Sequence, residues 1–396
     1  MSVKLGKLQW RPFWASHIGA LKGCLDYLGI RMSDAWLAGG IGHAFVLNVN
    51  ANVSAAGPTA WNTEMMRLLG HNLGYNVTGI SAWKHDPEFG TKQKLAWETA
   101  KRALDQGLPC YGWELGIAEY YAINGYNQYG YYYSGIGTAS FKFDLEKDRK
   151  GELTDGVFTD RLRDDLALRG MALSEDVTVN NRFGCWIIKD EEEGTLYSIL
   201  EDESGRLMLH GEYETSQGFK QWDDLGASTI GLMELYSVEP AYTSDDAAVV
   251  KEALEFALEF AESPRKWVQS GFRSGLAGYD AWKHALDNRS ADGFGHAYNA
   301  AVWQECRMLA SMFLLEAADR IGGGAAARLR EAAKWYDDVS RELAVVAERF
   351  PFHRRRPEHI RDSESLDAAS RALSRAQSAE QRGLERLRHI VGLLDG

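Results

Sequence analysis

The chain has 396 residues, 45% of them hydrophobic, enough for two or three domains and a sizeable core. A net charge of -12 argues against nucleic acid or anionic lipid as a main partner. The four cysteines, with no CxxC pair and no His/Cys ligand spacing, suggest neither a zinc site nor a disulfide framework, so no metal or cofactor is expected. No apolar run nears the ~20 residues of a membrane span and the N-terminus has no signal-like apolar core, so a soluble, cytoplasmic chain is expected.

In chain order, Ile18, Leu21, Leu25 and Leu28 recur at helical spacing, which predicts a helix over 16–28 closed by Gly29. Cys24 falls on the apolar side of that helix and reads as a small core residue. Its alternative role, a nucleophile served by His17, needs a hydrogen bond across seven helical positions, about 10 Å. Ser33 can cap a second helix. Gly39, Gly40 and Gly42 then form a turn that lacks the lysine and hydroxyl of a phosphate-binding loop. His43 stands alone before an expected strand, Phe45 to Val49.

A helix that Pro58-Thr59-Ala60-Trp61 starts and that runs through Leu69, a strand from Gly74 to Ile80 and a helix from Lys92 to Leu104 follow. Gly107-Leu108-Pro109 then signals a turn. Three aromatic-rich runs come next, Cys110 to Leu115, Glu119 to Asn124 and Tyr129 to Tyr133, each bounded as a strand is. Glu119 opens an apolar run with a carboxylate, which calls for a partner or a task. Strand alternation places Tyr121 on the face of Glu119 and Tyr120 on the other.

The stretch 144–176 is charged and aperiodic, and reads as a solvated insertion. Strands are expected over 183–188, 196–200, 207–209 and 230–238. Beyond Pro240 the pattern is helical, over 245–261, 278–286, 297–321, 325–349 and 363–394. The division expected is therefore 1–240, α+β, and 241–396, all helical. The last helix is charged and Ala/Leu-rich, which suits a homodimer contact.

Gly107 to Gly135 resembles the second half of a papain-like cysteine peptidase domain of the C39 type. There a Gly-x-Pro turn and a strand lead to a catalytic His, then to Gly-Tyr-Asp, a further strand and Asp-Pro. Aligned on Gly125-Tyr126, the family's His falls on Glu119 and its Asp-Pro on Ser134-Gly135. Aligned on Tyr27-Leu28-Gly29, its cysteine falls on Ser16. The run His17-Ile18-Gly19, Ser33-Asp34 and Gly39 to Phe45 is similar to the N-terminal domain of the butirosin-biosynthesis H protein family. That anchoring puts the cysteine position on Ile18. The resemblance implies a papain-like domain followed by a helical one, with Ser16, Glu119 and Ser134 in the three catalytic positions.

Two functions follow from these residues. In one, the cleft has lost its thiol chemistry and binds a small polar or cationic molecule, with Glu114, Trp113, Tyr121, His43 and Tyr133 beside Glu119 as an acidic, aromatic wall. In the other, an acyltransferase or amide hydrolase acts on an amine-bearing small molecule, and a carboxylate must serve as base for a hydroxyl.

Overall fold

The computed structural model describes residues 2–136, 141–145, 177–182, 185–190, 195–201, 207–212, 218–352 and 362–394, with side chains described outside 141–212. Beyond its first two residues the charged stretch 144–176 lies outside the described residues, and so does the basic run 353–356.

The chain starts with β1 (Val3–Lys4) and a loop that leads into α1 (Ser16–Tyr27) and α2 (Asp34–Gly40). Where a strand is expected after His43, a single 3-10 turn covers His43–Phe45, and only Asn48–Asn50 is extended, as β2. Gly42, at φ 76°, makes the sharp entry to that turn. Then come α3 (Glu64–Gly70), β3 (Leu73–Trp83), α4 (Phe89–Asp105), β4 (Cys110–Trp113), β5 (Tyr120–Tyr126) and β6 (Gly130–Ser134).

Five strands follow: β7 (Phe141–Leu145), β8 (Val177–Arg182), β9 (Cys185–Asp190), β10 (Thr195–Glu201) and β11 (Leu207–Glu212). They form a separate antiparallel sheet in the order β7-β11-β10-β9-β8. The chain returns to the first sheet with β12 (Gly218–Gln221) and β13 (Leu232–Thr243). β13 runs past Pro240, with a register shift against β3 between Pro240 and Thr243.

The main sheet is antiparallel, ordered β12-β6-β5-β4-β13-β3, with β1 added on β5. Alternation splits its side chains between two cores. Tyr111, Trp113, Tyr120, Ala122, Tyr236 and Val238 face the larger core, which also holds Ile18, Leu21, Cys24 and Leu25 of α1. Cys110, Tyr121, Ile123, Tyr131, Tyr133 and Leu235 face the other, which α4 covers with Ala96, Trp97, Ala100 and Leu104.

The remainder is helical apart from β14 (Phe272–Ser274), which pairs with β2. α5 (Asp246–Glu262) starts at Asp245, whose side chain accepts from Ala248 N. α6 (Gly275–Asp287), α7 (Gly293–Ile321), α8 (Gly323–Arg349) and α9 (Ser363–Leu394) pack together. α7 is buried around most of its circumference, as a central helix must be. Its Trp303, Phe313 and Leu314 are fully enclosed, each burial contributing roughly 1.5–3 kcal/mol.

The larger core continues without a break from Leu8 to Ile390, so residues on both sides of 240 share it. The apolar stripe of α9, including Leu373, Leu384, Leu387 and Ile390, packs into this core. Among the described residues no helix is long and apolar enough to cross a membrane. The architecture is thus mixed helix and sheet, an antiparallel sheet followed by a helical region.

Candidate functional site

The site forms where the first residue of α1 meets the start of β5. α1 is held there by a close crossing. A Cβ on Gly19 would lie 2.2 Å from Arg11 O, and one on Gly23 would lie 1.8 Å from Gln9 O, so only glycine lets the 9–11 segment pass. That contact is bonded, Arg11 N donating to Gly19 O at 3.0 Å. The indole Nε1 of Trp10 donates to Ser16 O at 3.1 Å, and Trp10 N donates to Ser134 Oγ at 3.0 Å. Ser134 therefore supports the segment that supports Ser16, and has no bond to Glu119.

Glu119 does not belong to the strand. Residues 115–119 form a bend between β4 and β5, with Glu119 N donating to Ile117 O and Glu114 N donating to Glu119 O. Glu114 closes that bend at φ 57°, a left-handed conformation rare for a residue with a side chain. Alternation cannot be counted through a bend, so the expected facing is reversed. Tyr120 lies on the Ser16 side. Tyr121 lies in the opposite core, where its hydroxyl accepts from Ile117 N at 2.9 Å and donates to Ile136 O at 2.8 Å.

Ser16 Oγ donates to Glu119 Oε2 and accepts from Tyr120 N at 3.0 Å. Glu119 Oε1 accepts from the Tyr298 hydroxyl of α7 at 2.8 Å. Both carboxylate oxygens are thus held by hydroxyls from elements far apart in sequence. Burial, only partly offset by these two bonds, pushes the Glu119 carboxyl up to about 7. The N-terminal end of α1 adjoins this carboxylate, where its dipole favours negative charge.

Beside Ser16 is a cavity of about 10 Å³, room for one water molecule. His17, His43, Trp61, Tyr120 and Tyr298 are among its walls. His17 stacks on Tyr120 with centroids 3.8 Å apart, and its Nε2 lies 3.3 Å from the Tyr111 hydroxyl. His43 Nδ1 lies 3.5 Å from Cys306 Sγ. Desolvation holds His17 well below its usual range and His43 at about 4, so both rings are neutral near pH 7. Tyr120 is fixed in turn by Glu234 of β13, which accepts from the Tyr120 hydroxyl and, at 2.9 Å, from the Tyr236 hydroxyl.

Of the expected binding residues, His43 reaches this cavity. Trp113 packs edge-on against Tyr120 with centroids 5.0 Å apart. Glu114 turns away, its carboxylate accepting from Ser228 Oγ at 2.7 Å. Tyr121 and Tyr133 meet edge to face in the opposite core, with centroids 5.0 Å apart. Ile18 is fully buried. Cys24 is buried too, its thiol 3.6 Å from Cys110 O and pushed well up by desolvation, which keeps it protonated. Tyr298 and Tyr120 are residues that sequence reasoning did not assign to the site, and His17, weighed there only as a base for Cys24, lies instead against Tyr120 and Tyr111. Among the described residues no three His, Cys, Asp or Glu side chains gather as a metal site. Compared with known proteins, the chain matches no family model and no curated sequence.

Proposed function

We propose that the chain is a papain-like α+β protein in which a serine–carboxylate–phenol junction replaces thiol chemistry, and that this junction binds a small polar or cationic molecule. The observation that carries the reading is the bond from Ser16 Oγ to Glu119, across 103 positions. These are the positions that the family resemblance gives to nucleophile and base. The described cysteines do not supply a thiolate, because Cys24, Cys110 and Cys306 are all buried and free, with thiols pushed up by desolvation. Titration calorimetry against a panel of amines and polyols is expected to find a saturable ligand. Glu119→Gln should weaken it tenfold or more, a charge-assisted hydrogen bond being worth about 1.5–3 kcal/mol. Equal affinity in the variant would sink the reading.

One observation favours acyl transfer as a second reading. Glu119, held at about 7, is already bonded to the Ser16 hydroxyl and oriented by Tyr298, the arrangement of a nucleophile, its base and an orienting group. In that reaction Ser16 Oγ attacks the acyl carbon while its proton passes to Glu119. The C–N or C–O bond then breaks and the leaving group takes the proton. Binding ranks first because Ser16 is 1% exposed and the space beside it is about the size of one water, enough for a single polar atom of a ligand but not for an acyl group placed on Ser16 Oγ. Covalent labelling of Ser16 by a phosphonylating probe, lost in Ser16→Ala, would reverse that order.

A further inference from the structure

We infer that the cavity beside Ser16 is a subsite for one uncharged polar group of the ligand, a hydroxyl or a carbonyl oxygen, and that His17 is the residue that reads it. The inference rests on the reading of the Ser16–Glu119–Tyr298 junction as a ligand site, and specifies what enters it.

Size gives the first constraint. About 10 Å³ accommodates one heavy atom with its hydrogens, the volume class of a water, and excludes a ring or a branched group. Unpaired hydrogen-bonding capacity gives the second. His17 is 4% exposed and its Nδ1 has no hydrogen-bond partner, while Nε2 is taken up with the Tyr111 hydroxyl. Buried polar atoms are almost always paired, so an orphan on a residue that walls a cavity marks where a guest's polar atom belongs. The stack on Tyr120 fixes the ring, and the bond from Tyr120 to Glu234 fixes Tyr120, so this wall is organised in advance.

Charge gives the third. Glu119 is not among the residues that line this cavity, although Ser16 and Tyr298, each bonded to one of its oxygens, are, so a charged part of the ligand meets Glu119 outside this subsite. The wall itself presents hydroxyls, aromatic rings and two imidazoles that are neutral near pH 7. An ammonium would leave water for a space without a counter-charge, which is costly. A methyl group would fit but leave His17 Nδ1 unpaired. A hydroxyl or carbonyl meets both conditions, and can replace a water in the same place.

The test is an NMR titration of the whole chain with ¹⁵N-labelled histidine, following the His17 ring nitrogens. The probes are methanol, formamide and methylammonium at matched concentrations. Methanol or formamide is expected to shift the His17 resonances saturably, with methylammonium at least tenfold weaker. His17→Phe keeps the stack and removes Nδ1, and should abolish the saturable response of the neighbouring His43. If that variant does not fold, His17→Gln serves in its place, and the titration of the unaltered chain needs neither. Methylammonium saturating at lower concentration than the neutral probes would overturn the inference. So would a His17 signal that no probe moves, which would make the cavity a site for water alone. Either result leaves the binding reading standing if a ligand sensitive to Glu119→Gln has been found, so the two failures are told apart.

Discussion

Two carboxylates, Glu380 buried in the helical region and Glu119 part-buried at its junction with the sheet, are held in opposite ways. Glu380 faces a full opposite charge. Arg307 Nε donates to it at 2.7 Å, and Arg307 Nη1 donates to Ala44 O and Val46 O at 3.0 and 2.7 Å. The Tyr279 hydroxyl adds a further bond at 3.1 Å. The pair is 0% and 2% exposed and ties α7 and α9 to the turn that carries His43. Glu119 is given only neutral donors, Ser16 and Tyr298. A guanidinium puts a permanent counter-charge beside a buried carboxylate, whereas at Glu119 the hydroxyls leave desolvation in control. The first arrangement is a fastener. The second is a group that changes charge near neutrality, where a fastener would be a poor choice and a binding site a good one.

The largest effect is expected from breaking the fastener. Arg307→Met leaves Glu380 buried without its counter-charge and should cost about 3–5 kcal/mol in urea unfolding, while adding Glu380→Leu should recover most of the loss. A single variant costing under about 1 kcal/mol would show that the pair does not hold the region together.

Next is the pH dependence at the other carboxylate. The folded Glu119 carboxyl is held at about 7 against 4.5 for the free group. Between those values the folded chain keeps a proton that the unfolded chain has released, so this residue's contribution to stability falls as pH rises through the window. The unaltered chain should therefore lose on the order of 2 kcal/mol relative to Glu119→Gln between pH 4.5 and 8, a figure discounted from the full shift because the residue keeps some solvent. Parallel unfolding curves for the two proteins over that range would refute the contrast with Glu380.

Tyr298→Phe sharpens the comparison by removing one of the two donors. It should cost about 1–2 kcal/mol. Because the Tyr298 bond favours the ionised carboxyl, its loss should also move the midpoint of the Glu119 pH dependence upward. A midpoint that moves down would mean that the hydroxyl does not act on Glu119.

The smallest effect is expected at the bend that places Glu119. Glu114→Gly relieves a left-handed backbone worth about 1–2 kcal/mol but forfeits the bond from Ser228. The net change in stability should stay within about 1 kcal/mol. A large loss, seen as a drop in Tm, would show that the Ser228–Glu114 bond matters more to the bend than backbone strain.

Periodicity sets what could be read directly. α9 spans the residues its apolar spacing predicts, and α1 buries Cys24 with Leu21 and Leu25 as that spacing requires. The strands after Gly107-Leu108-Pro109 lie close to their expected limits, since turn residues bound them locally. Where a few residues leave the regular pattern, counting failed. The bend at 115–119 exchanged the faces of Tyr120 and Tyr121, and the turn at His43–Phe45 stands where extended chain was expected.

The meeting of Ser16 with Glu119 was legible only through the spacing of a family resemblance, and physical patterning alone gave no reason to pair them. Nothing in the sequence placed Tyr298 against Glu119, 179 positions away, or turned Glu114 toward Ser228. Helix and strand propensities act over a few residues, so the sequence by itself determined the elements and which side of most of them is apolar. Which hydroxyl meets which carboxylate depends on how α1, β5 and α7 pack, and a single shared core joining both ends of the chain decided it.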